Sequence, residues 1–339
     1  MRPQHANLHE RDTRHTACVL VATLMKPPHS YSVLLGCGAS DLTRRLLEMD
    51  LSLQIAIDRL PDGECDVSIA RVVRGQRVYF IQALGAPVGE RLLDLALAAD
   101  AARRAGAREL IAIVPYLGYA RHDRRKKEGV ALGAAVVAKQ ISSCGFDRLV
   151  VLDLHSPSIE GFFSCAVEHI TAAPLLAMAL RPHGINNAVV VAPDFGASAL
   201  ARSYARRLGL PHAFVRKTRL GPRDLVAHQV MGDVRGKRPI IVDDMISTGA
   251  TVAAAVKAVV AAGAMPEIVV AATHGVFAPG SAEVLALKEI HAVLVTDSLD
   301  PIVAPSEIPV QRVSLASLLS DVVSRIEGDR SLEDLLAEV

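Results

Sequence analysis

Tryptophan is absent from the 339 residues, and only five tyrosines and seven phenylalanines occur. That scarcity argues against the interleaved aromatic platforms on which single-stranded nucleic acids stack. Charge of one sign is missing too: 37 Lys and Arg stand against 36 Asp and Glu, a net of +1. A balance so even gives no global reason to expect a polyanionic partner, and basic residues cluster only locally. The five cysteines are odd in number and never spaced C-x-x-C, which disfavours a disulfide scaffold and a structural zinc site. No apolar run reaches the length of about 18 residues that a membrane span requires. The opening MRPQHANLHERDTRH is polar, and the short patch Ala17–Met25 makes a poor signal peptide, so a cytoplasmic protein is expected.

What the chain does have is one pattern repeated: apolar strand, loop, Ala/Leu-rich helix. Strands are expected at Val78–Gln82, Leu110–Val114, Arg148–Leu152, Ala188–Val191, Ile240–Val242, Ile268–Ala272 and Ala292–Val295. Helices are expected at Gly89–Ala105, Leu132–Ser143, Ala197–Leu208 and Thr251–Ala262, with an amphipathic one from Ser314 to Ile326. Such alternation implies an α/β protein with parallel sheets covered by helices. Two units should follow one another, 31–167 and 168–312, after an extension at 1–30 and before a helix and acidic tail at 313–339. No low-complexity linker separates them, so the halves should pack tightly. Loops at the carboxyl ends of the strands are where an active site is expected.

The most informative loop follows Ile240–Val242. Asp243 and Asp244 could accept hydrogen bonds from sugar hydroxyls. Ser247, Thr248, Gly249, Ala250 and Thr251 then offer hydroxyls and backbone N–H groups at a helix start, which is a ready anion site. A phosphosugar fits both ends; the alternative is a capped turn whose acids face solvent. After Leu110–Val114 the run PYLGYARHDRR crowds Arg121, His122, Asp123, Arg124 and Arg125 into one loop, suited to a nucleotide's phosphates or to a solvated basic surface. His155 stands at the carboxyl end of the strand Arg148–Leu152, beside Asp153. Asp194 follows the strand Ala188–Val191 and suits either a hard metal or an N-cap. Phe214–Arg219 reads as an exposed basic loop with Lys217 and Arg219, Arg216 and Arg223 nearby. Asp62-Gly63-Glu64 reads as an ordinary turn before a strand at Cys65–Ile69.

Together these motifs resemble those of the ribose-phosphate diphosphokinases, the phosphoribosyl pyrophosphate (PRPP) synthases, in order and register from about Val33 to about Ser324. The resemblance implies two tandem phosphoribosyltransferase-like domains and transfer of pyrophosphate from ATP to the 1-hydroxyl of ribose 5-phosphate, giving PRPP and AMP. It implies Mg²⁺ held near His155 and Asp194, with ATP contacted by Asp62, Glu64, Arg121, His122, Asp123, Arg124 and His155. Asp243, Asp244, Ser247, Thr248, Gly249, Ala250 and Thr251 would hold ribose 5-phosphate, and Lys217 and Arg219 would be catalytic. It further implies a homo-oligomer built from dimers, up to a hexamer, in which Asp62 and Glu64 serve a neighbouring subunit's nucleotide site. No nucleic-acid or membrane partner is expected. Two other readings stay open: a PRPP-consuming phosphoribosyltransferase, which leaves YARHDRR, DLH and KTR without a role, and a non-catalytic regulatory subunit. Leu60 stands where the family has an adenine-stacking aromatic. In phosphate-activated members an S-R-x-P-like segment follows YARxDR; here Glu128, Val130 and Leu132 replace its serine, arginine and proline.

Overall fold

The computed structural model describes residues 31–49, 55–69, 73–219, 226–302 and 308–338; the expected extension 1–30 and Arg223 lie outside them. The first half runs β1 (Tyr31–Leu35), α1 (Ser40–Glu48), β2 (Ile55–Arg59), β3 (Cys65–Ile69), β4 (Arg77–Ile81), α2 (Val88–Arg104), β5 (Glu109–Val114), α3 (Gly133–Ser143), β6 (Arg148–Leu152) and β7 (Ala166–Ile170). The second continues with α4 (Ala173–Leu180), β8 (Ala188–Ala192), α5 (Ser198–Leu208), β9 (His212–Arg219), β10 (Val226–Met231), β11 (Arg238–Ile246), α6 (Ala250–Ala261), β12 (Ile268–Gly275), α7 (Ser281–Leu285), β13 (Ile290–Thr296), β14 (Val310–Val313) and α8 (Ala316–Glu327).

Strands β1-β4-β5-β6-β7 form a parallel five-stranded sheet, and β10-β9-β8-β11-β12-β13-β14 form a seven-stranded sheet in which only the edge strand β10 is antiparallel. The hairpin β2–β3 stands apart as a two-stranded antiparallel ribbon. The segment at Phe214–Arg219, expected as a loop, is instead the end of β9, paired with β10 from Val226↔Arg219 to Met231↔Phe214. Alternating Phe214, Val215 and Arg216 carried the strand signal, which the density of basic residues obscured.

Because successive strand residues face opposite ways, each strand feeds two cores. Val78 and Phe80 point with Leu110 toward α2 and α3, whereas Tyr79 and Ile81 point to the other side. In the second sheet Ile241 and Val270 pack with Val256 and Val259 of α6, while Ile240, Val242 and Val269 face away. The away-facing sides of both sheets share one core, filled by Leu42 of α1, Leu176 and Leu180 of α4, Tyr204 of α5, and Leu319 and Val322 of α8. Each such side chain, fully buried, contributes roughly 1.5–3 kcal/mol, so the tight packing expected between the halves is met by a continuous central layer.

Strand β7 pairs β6 through Ile170 and so runs across the expected boundary at 167/168. The segment from 313 onward, expected as a helix and tail, packs against the first half. Tyr79 Oη donates to Glu327 Oε1 at 2.7 Å, Arg77 pairs with the same carboxylate at 3.0 Å, and α8 closes the shared core. At the N-terminus of α1, Ser40 donates from its N–H (2.9 Å) and its hydroxyl (2.8 Å) to Asp300, a carboxylate of the second half. A loop side chain of the second half thus accepts from the first turn of a helix of the first.

Candidate functional site

A cavity of about 1020 Å³ opens where the carboxyl ends of β6, β8 and β11 meet, between the two sheets. The loop after β5 enters it from one side. Gly118 passes so close to the backbone of Leu84 that a Cβ would lie 2.6 Å from its carbonyl oxygen, and Tyr119 turns the chain with φ +64. That path delivers Arg121, Asp123 and Arg124 to the cavity wall. His122 goes elsewhere: its ring packs edge-on against Tyr119 at 5.8 Å and it is not among the lining residues.

Opposite them lies the β11–α6 loop. Ser247, Thr248, Gly249, Ala250 and Thr251 all line the cavity, with Gly249 at φ +77 as the residue before α6. A Cβ there would meet Leu285 Cγ at 2.7 Å, so both conformation and space demand glycine. The Ala278 N–H donates to Ser247 O at 3.0 Å and pins the loop's entry. The exposed N–H groups and hydroxyls at the start of α6 form an anion cradle in the positive end of the helix dipole.

The adjacent carboxylates separate in character. Asp244 accepts from His155 Nδ1 at 2.8 Å. Burial works to raise its pKa, but the hydrogen bond and charge of His155 bring it below the ordinary carboxylate value. The same contact raises His155 against the opposing effect of burial. Asp243 moves the other way, well above the ordinary value, pushed by burial and by the negative charges of Asp244 and Asp194. Asp194 lines the cavity and also accepts from the Ala197 N–H at 3.2 Å, so it serves the turn into α5 while remaining in the site. Among the described residues no three His, Cys, Asp or Glu side chains converge as a ready-made metal cage. A hard cation bound through one or two carboxylates, phosphates and water does not need one.

Asp62 and Glu64 lie outside this cavity, on the exposed tip of the β2–β3 hairpin. There the Glu64 N–H donates to Asp62 Oδ1 at 3.1 Å and Leu60 is 41% exposed. Lys217 and Arg219 end β9, but their side chains lie outside the described residues; Arg216 on the same strand does line the cavity. The sequence also left unnoticed a buried seam behind the site. Asp153 Oδ2 accepts from the Ala172 N–H (2.9 Å) and Thr273 Oγ1 (2.6 Å), and His274 Nε2 approaches the carbonyls of Leu152 (3.2 Å) and Asp153 (3.3 Å). Polar residues ending β6 and β12 were the available signal, but 120 residues separate Asp153 from Thr273.

Two family models match the chain: the N-terminal domain of ribose phosphate pyrophosphokinase over 40–145, and the phosphoribosyl transferase domain over 170–293. The ribose-phosphate pyrophosphokinase of Aquifex aeolicus is 38% identical over 280 residues, covering 82% of this chain and 89% of that one. The enzyme of the same name from a Nostoc species is 38% identical over 319 residues, 93% of this chain and 96% of the relative. Among solved structures, the phosphoribosylpyrophosphate synthetase from Mycobacterium smegmatis superposes with a TM-score of 0.80 at 32% identity, over 88% of this chain and 99% of that one.

Proposed function

The chain belongs to the ribose-phosphate pyrophosphokinase family, and on that footing we propose how its residues divide the work. It is a ribose-phosphate diphosphokinase, transferring the diphosphoryl group of ATP to the 1-hydroxyl of ribose 5-phosphate to give PRPP and AMP. One observation carries the assignment of the site. A single cavity is lined both by Arg121 and Arg124 of the first half and by the 247–251 anion cradle of the second, with His155 and Asp244 in contact between them. Two anionic substrates need such a meeting place, since neither half alone holds both a cationic wall and a phosphosugar loop.

The Ser247–Thr251 loop binds the 5-phosphate, and Asp243 and Asp244 take the ribose hydroxyls. Arg121 and Arg124 grip the ATP phosphates in two-pronged fashion, with Asp123 and His155 alongside. The sugar's 1-hydroxyl attacks the β-phosphorus in line. Arg121, Lys217 and Arg219 neutralise the charge that develops, which is the principal task of protein groups in phosphoryl chemistry. His155 and Asp194 would hold Mg²⁺, which would supply positive charge to offset the repulsion between the two anionic substrates. The exposed hairpin tip with Asp62, Glu64 and Leu60 serves the nucleotide site of a neighbouring copy in a homo-oligomer, while His122 belongs to the ATP-binding loop of its own chain through its contact with Tyr119. Among the described residues no helix is long and apolar enough to cross a membrane, and we place the enzyme in the cytoplasm.

The test is AMP release with ribose 5-phosphate, ATP and Mg²⁺. AMP should form only when all three are present, stop in excess EDTA, and resume on adding Mg²⁺. AMP release that persists under EDTA would overturn the metal assignment. Consumption of PRPP with a nucleobase, without AMP release, would overturn the activity.

A further inference from the structure

The turn that carries His155 into the cavity is held in an uncommon conformation. Asp153 leaves β6 at φ +36, and a left-handed non-glycine residue costs on the order of 1–3 kcal/mol and persists only where its surroundings enforce it. Two of the three residues have evident anchors. Asp153 is fixed by Ala172 and Thr273, and His155 by Asp244.

The middle residue is held by a histidine. The Leu154 N–H donates to His169 Nε2 at 2.8 Å. A backbone amide can only donate, so Nε2 must present its lone pair and the ring's proton must sit on Nδ1. Nδ1 in turn lies 2.8 Å from Glu160 Oε1, an acceptor for that proton. Glu160 therefore selects the one neutral tautomer of His169 that can hold the turn. His169 is buried in β7, and the Ala337 N–H donates to its carbonyl at 2.8 Å, so the ring has little freedom to leave. The chain thus runs from His155 through Glu160 to β7 and returns, by way of the His169 ring, to the turn it started from.

We propose that Glu160 and His169 form a positioning pair for His155, setting the turn's orientation before any ligand arrives; this rests on the reading of His155 as a contact of the metal–nucleotide complex. Neither residue is assigned contact with the reacting atoms. Carboxylate and imidazole partners one step removed from a metal site change affinity or activity by about 10–100-fold when removed.

The experiment uses three variants of the full chain. His169→Phe keeps a ring of similar size without an acceptor. Glu160→Leu removes the tautomer's partner from a half-exposed position that should not endanger folding. Glu160→Gln keeps an amide oxygen able to accept from Nδ1–H. Turnover should fall at least tenfold in the first two, with the KM for ribose 5-phosphate within twofold of the parent, and Glu160→Gln should restore it. Nitrogen NMR of histidine-labelled, ligand-free protein should show His169 protonated on Nδ1 alone in the parent, and no longer solely so in Glu160→Leu. Protonation on Nε2 in the parent would overturn the proposal. So would parental turnover in Glu160→Leu, or equal losses in Glu160→Gln and Glu160→Leu. A parent that releases no AMP with ribose 5-phosphate would sink the activity assignment instead, leaving the tautomer result standing by itself.

Discussion

His155 Nδ1 and Asp244 Oδ2 lie 2.8 Å apart although 89 residues separate them. One lies in the turn after β6 of the five-stranded sheet, the other sits in β11 of the seven-stranded sheet, and their contact joins the two halves at the site. The pair also explains the opposite shifts of the neighbouring acids: Asp244 is held below the ordinary value by its partner, while Asp243, buried beside it, is driven up.

Lys217→Ala and Arg219→Ala should each lower turnover by orders of magnitude while the thermal transition stays in place. Loss of one charge-stabilising donor at a comparable centre costs about 2.7–4 kcal/mol of transition-state binding. Steady-state kinetics with both substrates varied checks it. Near-parental turnover in both variants would mean that the end of β9 is not catalytic.

Gly249→Ala should raise the KM for ribose 5-phosphate far more than the KM for ATP. The φ of +77 disfavours any Cβ, and Leu285 would be met at 2.7 Å, so the start of α6 must shift. The strain is about 1–3 kcal/mol, and it falls on the N–H groups proposed to hold the 5-phosphate. An equal effect on both constants would place the phosphosugar elsewhere.

Asp153→Ala should destabilise the fold as well as the site. It leaves the Ala172 N–H and the Thr273 hydroxyl without their buried acceptor, at roughly 1–3 kcal/mol for each unsatisfied group. Urea denaturation should show a lower midpoint. An unchanged midpoint would mean that the seam tolerates the loss, through water or local rearrangement.

Acid should weaken the same seam through His274. Burial lowers its pKa below the ordinary 6.5, so below that value the unfolded chain binds more protons than the folded one. Its contribution is fully present above about pH 6.5 and is lost as the pH falls toward the folded value. In urea titrations between pH 8 and pH 5, His274→Gln should lose less stability on acidification than the parent. Parallel pH profiles for the two proteins would remove His274 from the account.

Activity should not require inorganic phosphate, and ADP should inhibit only in competition with ATP. The resemblance implies that Glu128 and Val130 replace the serine and arginine of an anion-binding segment, which would remove a two-pronged arginine contact and add a repelling charge. Saturation curves in phosphate-free buffer, with and without phosphate and ADP, decide this. Strong phosphate activation, or ADP inhibition surviving saturating ATP, would refute it.

The sequence by itself determined the elements and the loops that carry chemistry. Expected strands at Arg148–Leu152 and Ala188–Val191, and the helix near Ala197–Leu208, fall within a residue or two of β6, β8 and α5, because apolar periodicity and punctuating glycines are local signals. The loop Asp243–Thr251 was legible for the same reason: its acids, hydroxyls and glycine adjoin in the chain. Tertiary structure decided whatever depends on distant residues. Periodicity marked both faces of Ile240–Val242 as buried but could not say that Ile240 and Val242 would share a core with Tyr79, or that α8 would close it. Asp194 kept two readings in sequence; in space it accepts from the Ala197 N–H at the turn before α5 and also lines the cavity, where its role toward a metal is a proposal. Glu160 and His169 carried no pattern of their own, and nothing local paired Thr273 and His274 with Asp153. Their roles come from hydrogen bonds that exist only once the carboxyl ends of β6 and β7 in one sheet meet the end of β12 in the other.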